Sequence, residues 1–494
     1  MTQSERAIVI GAGAGGLAAA IELTAAGYDV CVIEAANTVG GKMNQVVVEE
    51  NRIDTGPTVF TMRWVFESLF ATLGYNLDDE LHHSAMPILA RHWWHNKTTL
   101  DLHADIDQSA DAIGQFASSA DAAGYRRFCA DSESIHDTLR DTFMAAQKPN
   151  PLSLVHRVGW HRMSALMQTR SHQTLWHVLS QYFKDPRLQQ LFGRYATYVG
   201  SSPLQTPATL MLIAHVEQAG VWRLEGGMSS LADAMQRVAS SAGASFRLGE
   251  RVDAITTRAG RVDGVITAAG EKLQADVVLF NGDNRALLQG LLGQSVQRPD
   301  RLQHSGQRGL SAITWSGLIS AQQAPLSYHN VLFQEDYPSE FKRIFHQGEL
   351  PHKPTVYVCA QDRERGGCPS TQERALVLIN APSVDTAAFN DDNVAEQAKL
   401  AVEAVIDRCG LDIKLNAGHV CRTPQWYSER FPGSGGSLYG GASHGMWSSF
   451  TRPGTRTRIP GLYRCGGSVH PGPGVPMATL SGRLAAWAMI EDRG

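Results

Sequence analysis

Residues 7–34 read AIVIGAGAGGLAAAIELTAAGYDVCVIE, and this stretch decides the fold. Residues 7–10 are an apolar, β-like run. Glycines follow at Gly11, Gly13 and Gly16, then a helix-like run of small residues to about Ala26, then a second apolar run ending at Glu34. Strand, glycine turn, helix and strand make a βαβ unit. A G-x-G-x-x-G alone is weak evidence; one that follows a strand, opens a helix and precedes an acid at the next strand's end is a dinucleotide fingerprint. Gly11 permits the turn, Gly13 lets backbone approach a diphosphate, and Gly16 lets the helix pack on the strand. The helix N-terminus offers free N–H groups to the phosphates, and Glu34 is placed to hold ribose hydroxyls.

Working outward, AANTVGGKM follows Glu34. An acid followed by Gly40, Gly41 and a basic Lys42 resembles the FAD-binding half of the amine oxidase and carotenoid desaturase superfamily. Many relatives carry Arg at the position of Lys42; Lys keeps the charge and loses the bidentate fork. There is no second fingerprint in a strand–turn–helix setting, which speaks against a second dinucleotide such as NAD(P)H. At the other end, 461–486 reads GLYRCGGSVHPGPGVPMATLSGRLAA. It resembles the C-terminal signature of the bacterial phytoene desaturase family, whose glycine loop reaches the flavin and opens a final helix. The resemblance runs along nearly the whole chain. Within the family, DTGPTVFTMR (54–63), ARHWW (90–94), FGRYATYVG (192–200) and HPGPGVPMATLSG (470–482) look most like the 1-hydroxycarotenoid 3,4-desaturases, also called methoxyneurosporene dehydrogenases.

That resemblance implies FAD as cofactor. The residues it implies are Gly11, Gly13, Gly16, Glu34, Gly40, Gly41, Lys42, Gly56, Pro57, Thr58, Val252, Gly466, Gly467, Gly474, Val475, Pro476 and Met477. The expected fold class is α/β, a Rossmann-type FAD-binding domain interleaved with a substrate domain of antiparallel sheet plus helices. The expected segments are 1–75, 225–295 and 426–494 for FAD, 76–224 for a helical substrate part, and 296–425 for its sheet. Helices are expected near 124–145, 171–184, 187–199 and 207–221, and strands near 311–319, 329–334, 355–360 and 375–381.

Composition narrows the setting. The chain has 494 residues, a formal net charge of −4 and 43% hydrophobic residues, so no global positive field invites nucleic acid. Seven cysteines, an odd number without a C-x-x-C pair, argue against a disulfide framework and for a reducing cytoplasm. No apolar stretch reaches the roughly 18–20 residues that span a bilayer.

The implied chemistry is insertion of a C3–C4 double bond into a 1-hydroxy acyclic carotenoid, with hydride passing to the flavin and a proton lost. A developing cation must be kept from water, so a long apolar tunnel is expected. A dedicated acid or base is not required. Arg194, Tyr195, Tyr198 and His172 are the candidates for polar contacts to the substrate, although Tyr195 and Tyr198, three apart, equally read as helix packing. Asp54 and Asp283 are either site acids or turn caps beside glycine. His92 and His95 fall on opposite faces of a strand, and no metal centre is expected. A carotenoid of roughly 30 buried carbons, at about 0.8 kcal/mol each, will not cross water alone. Peripheral attachment to the inner or photosynthetic membrane is therefore expected within 150–222, with quinone or oxygen as the terminal acceptor. The competing readings are a phytoene desaturase, a flavin amine oxidase of the same fold, and a non-enzyme, the prenyl-lipid-binding GDP-dissociation inhibitors. The last lack an intact FAD fingerprint.

Overall fold

The computed structural model describes residues 4–159, 163–297, 306–321, 323–363, 372–386 and 393–493. Cys368 lies outside them; Cys31, Cys129, Cys359, Cys409 and Cys465 are free thiols.

The strand Arg6–Ile10 has a buried apolar side chain at every position from Ala7 to Ile10, the pattern of a strand covered on both faces. It is the centre of a five-stranded parallel sheet. The order is Leu462–Arg464, Val277–Phe280, Arg6–Ile10, Asp29–Glu34, Ser245–Leu248. Ala14–Ala25 is the expected helix, and its buried Ala18, Ala19 and Ala20 let neighbours pack close. Its partner is the C-terminal helix Val475–Arg493. The approach is so close that a Cβ on Gly482 would lie 2.0 Å from Gly15 O. A buried pair locks the two helices: Arg483 Nε stands 2.6 Å from Glu22 Oε1, and Trp487 Nε1 donates to Glu22 Oε2 at 2.9 Å. The two ends of the chain thus form one unit.

The second sheet carries the expected strands Ser311–Ser320, His329–Leu332, Val356–Ala360 and Glu373–Ala381, flanked by Ile88–Trp93, Thr99–His103 and short strands at Lys414–Leu415 and Val420–Arg422. It is antiparallel apart from one parallel pairing, His329–Leu332 with Ile88–Trp93. Ser311–Ser320 and Glu373–Ala381 are register-matched over their lengths, and one face packs Trp315, Val358 and Val377 against the helix Val394–Arg408. On its other side lies a helical layer whose core is aromatic: Phe192 stacks on Phe183 at 4.7 Å and meets Phe128 at 4.9 Å.

Three expected helices are each interrupted. The stretch 124–145 lies in a helix, Ser119–Leu139, that ends in a π-turn, Arg140–Met144. The stretch 187–199 is an α-helix to Gly193 and a tighter 3₁₀ segment, Arg194–Val199, stopped by Gly200 at φ +69°. The stretch 207–221 opens with a 3₁₀ turn, Ala208–Met211, before the helix Leu212–Gln218. In a 3₁₀ segment i and i+3 eclipse, so Tyr195 and Tyr198 project from the same side.

Candidate functional site

One cavity of about 1150 Å³ is lined by both glycine loops and by the second sheet. That exceeds the roughly 300–1,000 Å³ of ordinary small-molecule sites, as room for a dinucleotide and a second ligand requires.

At one end the wall is backbone. Gly13 occupies the N-cap of the first helix, and no side chain caps it, so first-turn N–H groups stay free for an anion. Glu34 is held by two amides, Ala12 N to Oε2 and Ala36 N to Oε1, both at 2.8 Å. Gly40 N donates to Ala12 O at 2.8 Å, which brings the second glycine pair against the first loop. A Cβ on Gly15 would meet Asn281 Oδ1 at 2.7 Å, Ala478 O at 2.9 Å and Gly466 N at 3.1 Å. The N-terminal and C-terminal loops therefore touch, with Asn281 between them, its Nδ2 donating to Gly11 O at 3.1 Å. A Cβ on Gly56 would fall 1.8 Å from Lys42 O. This cradle has no side chains where a diphosphate would lie, and it fits FAD.

Of the expected residues, Gly11, Gly13, Glu34, Gly40, Gly41, Lys42, Gly56, Pro57, Thr58, Val252, Gly466, Gly467, Gly474, Val475 and Pro476 line this cavity. Gly16 and Met477 do not. Gly16 backs onto the turn, where a Cβ would sit 2.0 Å from Gly11 O, and Met477 packs on the core of the parallel-sheet unit. Lys42 lines the wall, but its Nζ donates to Leu438 O at 2.5 Å and lies 5.3 Å from the Phe431 ring. Burial pulls this ammonium down to about 8, against the opposing pull of Asp283.

At the other end the wall is made of side chains. Val59, Ile213, Val216, Val331, Leu376 and Leu378 are apolar; Arg194, Tyr198, Glu217, Tyr337, Thr355, Tyr357 and Asn380 are polar. The expected apolar tunnel thus carries polar groups as well, the expected Arg194 and Tyr198 among them. Buried polar groups persist because they satisfy one another. Tyr195 and Tyr198 both donate to Glu217, to Oε2 and Oε1, at 2.8 Å each. Tyr195 lies behind the wall and Tyr198 on it, with the Arg194 guanidinium 4.9 Å from the Tyr198 ring centre. The Tyr357 hydroxyl links Thr58 Oγ1 at 2.6 Å to His329 Nδ1 at 2.7 Å. Burial, and then Arg194, push His329 down to about 3, so this imidazole is neutral.

His172 is corrected: it is exposed, in the turn before Leu175–Tyr182, and does not line the cavity. Asp54 and Asp283 are caps. Asp54 accepts from Met228 N at 2.8 Å, and Asp283 accepts from Arg285 N at 2.9 Å at the N-cap of the helix Asn284–Leu288. Glu217, Tyr337 and Tyr357 have no role assigned by their sequence. The signal for Glu217 is an acid closing an otherwise apolar stretch; Tyr337 and Tyr357 stand in family-like runs, 336–341 and 355–359, that attach no role to them. His92 is buried, with Nδ1 3.3 Å from Leu100 O. Among the described residues, His136, Asp137 and His215 alone gather potential metal ligands, within 4.8 Å of one another, and none of them lines the cavity.

The chain is 46% identical over 493 residues to the hydroxyneurosporene desaturase of Rubrivivax gelatinosus, covering 99% of this chain and 94% of that one. It is 30% identical over 502 residues to the 1-hydroxycarotenoid 3,4-desaturase of Flavobacterium sp. (strain P99-3), covering 98% of each. The solved structure of putrescine oxidase bound to putrescine superposes with a TM-score of 0.64 at 15% identity, covering 99% of both chains. The pattern of the flavin containing amine oxidoreductases matches residues 14–490. With its paired glycine loops and shared cavity, the chain belongs to the flavin containing amine oxidoreductase family, and its cofactor is FAD.

Proposed function

We propose that the chain is a carotenoid desaturase that inserts the C3–C4 double bond of 1-hydroxy acyclic carotenoids. The observation that carries this reading is the single cavity joining the glycine cradle to a chamber walled by Ile213, Val216, Val331, Leu376 and Leu378. The desaturase relatives support it over nearly the full chain. FAD, when bound, supplies the two-electron acceptor, to be reoxidised by quinone or oxygen. The chain's own residues hold and orient. Gly11, Gly13, Gly40, Gly41, Gly466 and Gly474 would cradle the cofactor, Glu34 its ribose, and Val252 would border its far end. The apolar wall excludes water from a reacting carbon whose charge spreads along the polyene. The five segments bounded at 75, 224, 295 and 425 belong to the same reading; the parallel sheet, drawn from 6–34, 245–280 and 462–464, supports it.

Membrane attachment is part of the proposal. Among the described residues no helix is long and apolar enough to cross a bilayer. Leu152 is 83% exposed, on the short helix Pro151–Val158, and Met167 is 76% exposed. Trp447, 56% exposed, packs on Phe450, which meets Phe143 edge-on at 5.8 Å. These side chains suit an apolar footing on a lipid surface. Flotation with liposomes checks it: the wild type rises with the lipid and Leu152→Asp/Met167→Asp/Trp447→Asp stays below. For the reaction, the FAD-loaded protein is incubated with liposomes holding single carotenoids. A lengthened chromophore from 1-hydroxy carotenoids is expected. Conversion of phytoene with 1-hydroxy carotenoids unchanged would reject the assigned substrate.

A further inference from the structure

A polyene presents repeating, nearly identical units to an apolar wall, and hydrophobic burial has no direction. Such a wall excludes water but cannot choose which carbon pair faces the flavin. Register requires a polar mark on the substrate and a polar reader in the chamber. Two polar atoms in the chamber wall have no hydrogen-bond partner among the described residues. Tyr337, 2% exposed, borders the cavity, and its hydroxyl bonds to none of the described residues. Arg194 borders the same cavity, and its Nε is likewise without a partner. Unpaired buried polar atoms are uncommon and call for a reason.

The two residues are neighbours in the fold. Both line the same cavity, and the Arg194 guanidinium is near enough to act by its charge on the Tyr337 phenol. The Tyr337 ring is fixed by edge-on contacts to Phe333 at 5.9 Å and Phe341 at 4.9 Å. The Arg194 side chain is set against the Tyr198 ring, and Tyr198 is itself tied to Glu217 at 2.8 Å. Their chemistry differs. A guanidinium N–H only donates, whereas a phenol both donates and accepts. An alcohol does both, so it satisfies both atoms at once.

We propose that Arg194 and Tyr337 form an alcohol-binding subsite that receives the substrate's terminal hydroxyl, with Arg194 Nε–H donating to the alcohol oxygen and the alcohol O–H donating to Tyr337 Oη. Tyr198 and Glu217 are positioning residues that orient the guanidinium. This rests on the desaturase reading above and adds to it the groups that set the register. A hydroxyl on C1, anchored here, fixes where C3 and C4 lie against the cofactor. A site built to bond a hydroxyl also rejects the analogue that lacks it, because its polar atoms stay unpaired.

The test compares two acyclic carotenoids alike except for the C1 hydroxyl, in liposomes with the FAD-loaded protein. It measures kcat/KM and, separately, binding by quenching of flavin fluorescence. The wild type is expected to prefer the hydroxylated substrate in both. Tyr337→Phe removes a hydroxyl that has no protein partner, so folding is not at stake; it should narrow the preference about tenfold, the worth of one hydrogen bond. Arg194→Lys, which keeps the charge and moves the donor, should narrow it further. If Tyr337→Phe and Arg194→Lys both keep the wild-type ratio, or if the wild type has no preference while turning over both substrates, the subsite is refuted and the desaturase reading stands. If the wild type converts and binds neither carotenoid, both fall.

Discussion

The glycine end of the cavity is walled by main chain, and the chamber end by side chains drawn from distant segments. At the first, Gly15, Gly16, Gly56 and Gly482 each stand where a Cβ would come within 3 Å of a neighbouring backbone atom. At the second, Arg194, Glu217, Tyr337 and Tyr357 come from four separate elements; Tyr198 joins Arg194 to Glu217, Tyr357 bonds His329, and Tyr337 is held by the rings of Phe333 and Phe341. A main-chain wall makes room for one shape of cofactor and tolerates almost no substitution. A side-chain wall can be altered one group at a time, and its changes should appear in substrate choice and pH response before they appear in cofactor content.

The largest effect is expected at the glycine end. Gly16→Ala puts a methyl 2.0 Å from Gly11 O. A backbone atom cannot give way cheaply, so a loss of about 3 kcal/mol or more is expected. The purified protein should lack flavin absorbance. Flavin retained at wild-type level would show that the turn has room for a side chain.

Next comes Glu217→Ala, at the chamber end. It strips two tyrosine hydroxyls of their acceptor and leaves Arg194 without a nearby carboxylate. About 3 kcal/mol of stability should be lost in urea unfolding, with flavin content preserved. Loss of flavin in step with stability would erase the distinction between the two ends.

The pH responses should also differ. His329, depressed to about 3 from 6.5, binds a proton more readily in the unfolded chain. Its contribution is complete above pH 6.5 and is lost as pH falls, about 2 kcal/mol by pH 5. His444 and His470, held near 4 chiefly by burial, act in the same direction. Lys42, depressed to about 8 from 10.5, responds with the same sign but in a higher pH window in the FAD-free protein. The unfolded chain again binds more protons, so its contribution rises from pH 8 to pH 10.5, about 2 kcal/mol by pH 10. Unfolding midpoints of His329→Gln and Lys42→Met, each subtracted from the wild type across pH, isolate the two. A flat difference curve would remove the corresponding group from this scheme.

The smallest effect is thermal. Tyr337→Phe deletes a hydroxyl without a partner, and its Tm should match the wild type, within about 0.5 kcal/mol. A clear loss would mean that the hydroxyl has a structural bond.

The same contrast explains what is legible in the sequence. Glycine spacing is local, so Gly11, Gly13 and Gly16 announce their turn and Glu34 comes with them, while Gly40 and Gly41 are legible through the family resemblance. The strands Ser311–Ser320 and Glu373–Ala381 are equally plain as apolar runs. Lys42 is legible as a residue but not in its direction, because its ammonium reaches Leu438, far along the chain. The pairing of Tyr198 with Glu217 needs a 3₁₀ segment and a later helix to converge, and no local spacing encodes that. His172 misleads for the same reason: a polar residue near an apolar stretch carries no sign of which way its turn faces. Of the buried polar wall, Arg194 and Tyr198 are legible as candidates, whereas Glu217, Tyr337 and Tyr357 stay hidden because they are brought in from distant segments.

The central claim is that one cavity brings a flavin and a long polyene together. Anaerobic mixing of the FAD-loaded protein with carotenoid-bearing liposomes tests it most directly, followed by the bleaching of flavin absorbance. Bleaching is expected with a 1-hydroxy carotenoid, in step with a red-shifted polyene, and none with a primary amine. Bleaching by the amine while the carotenoid leaves the flavin oxidised would contradict the claim.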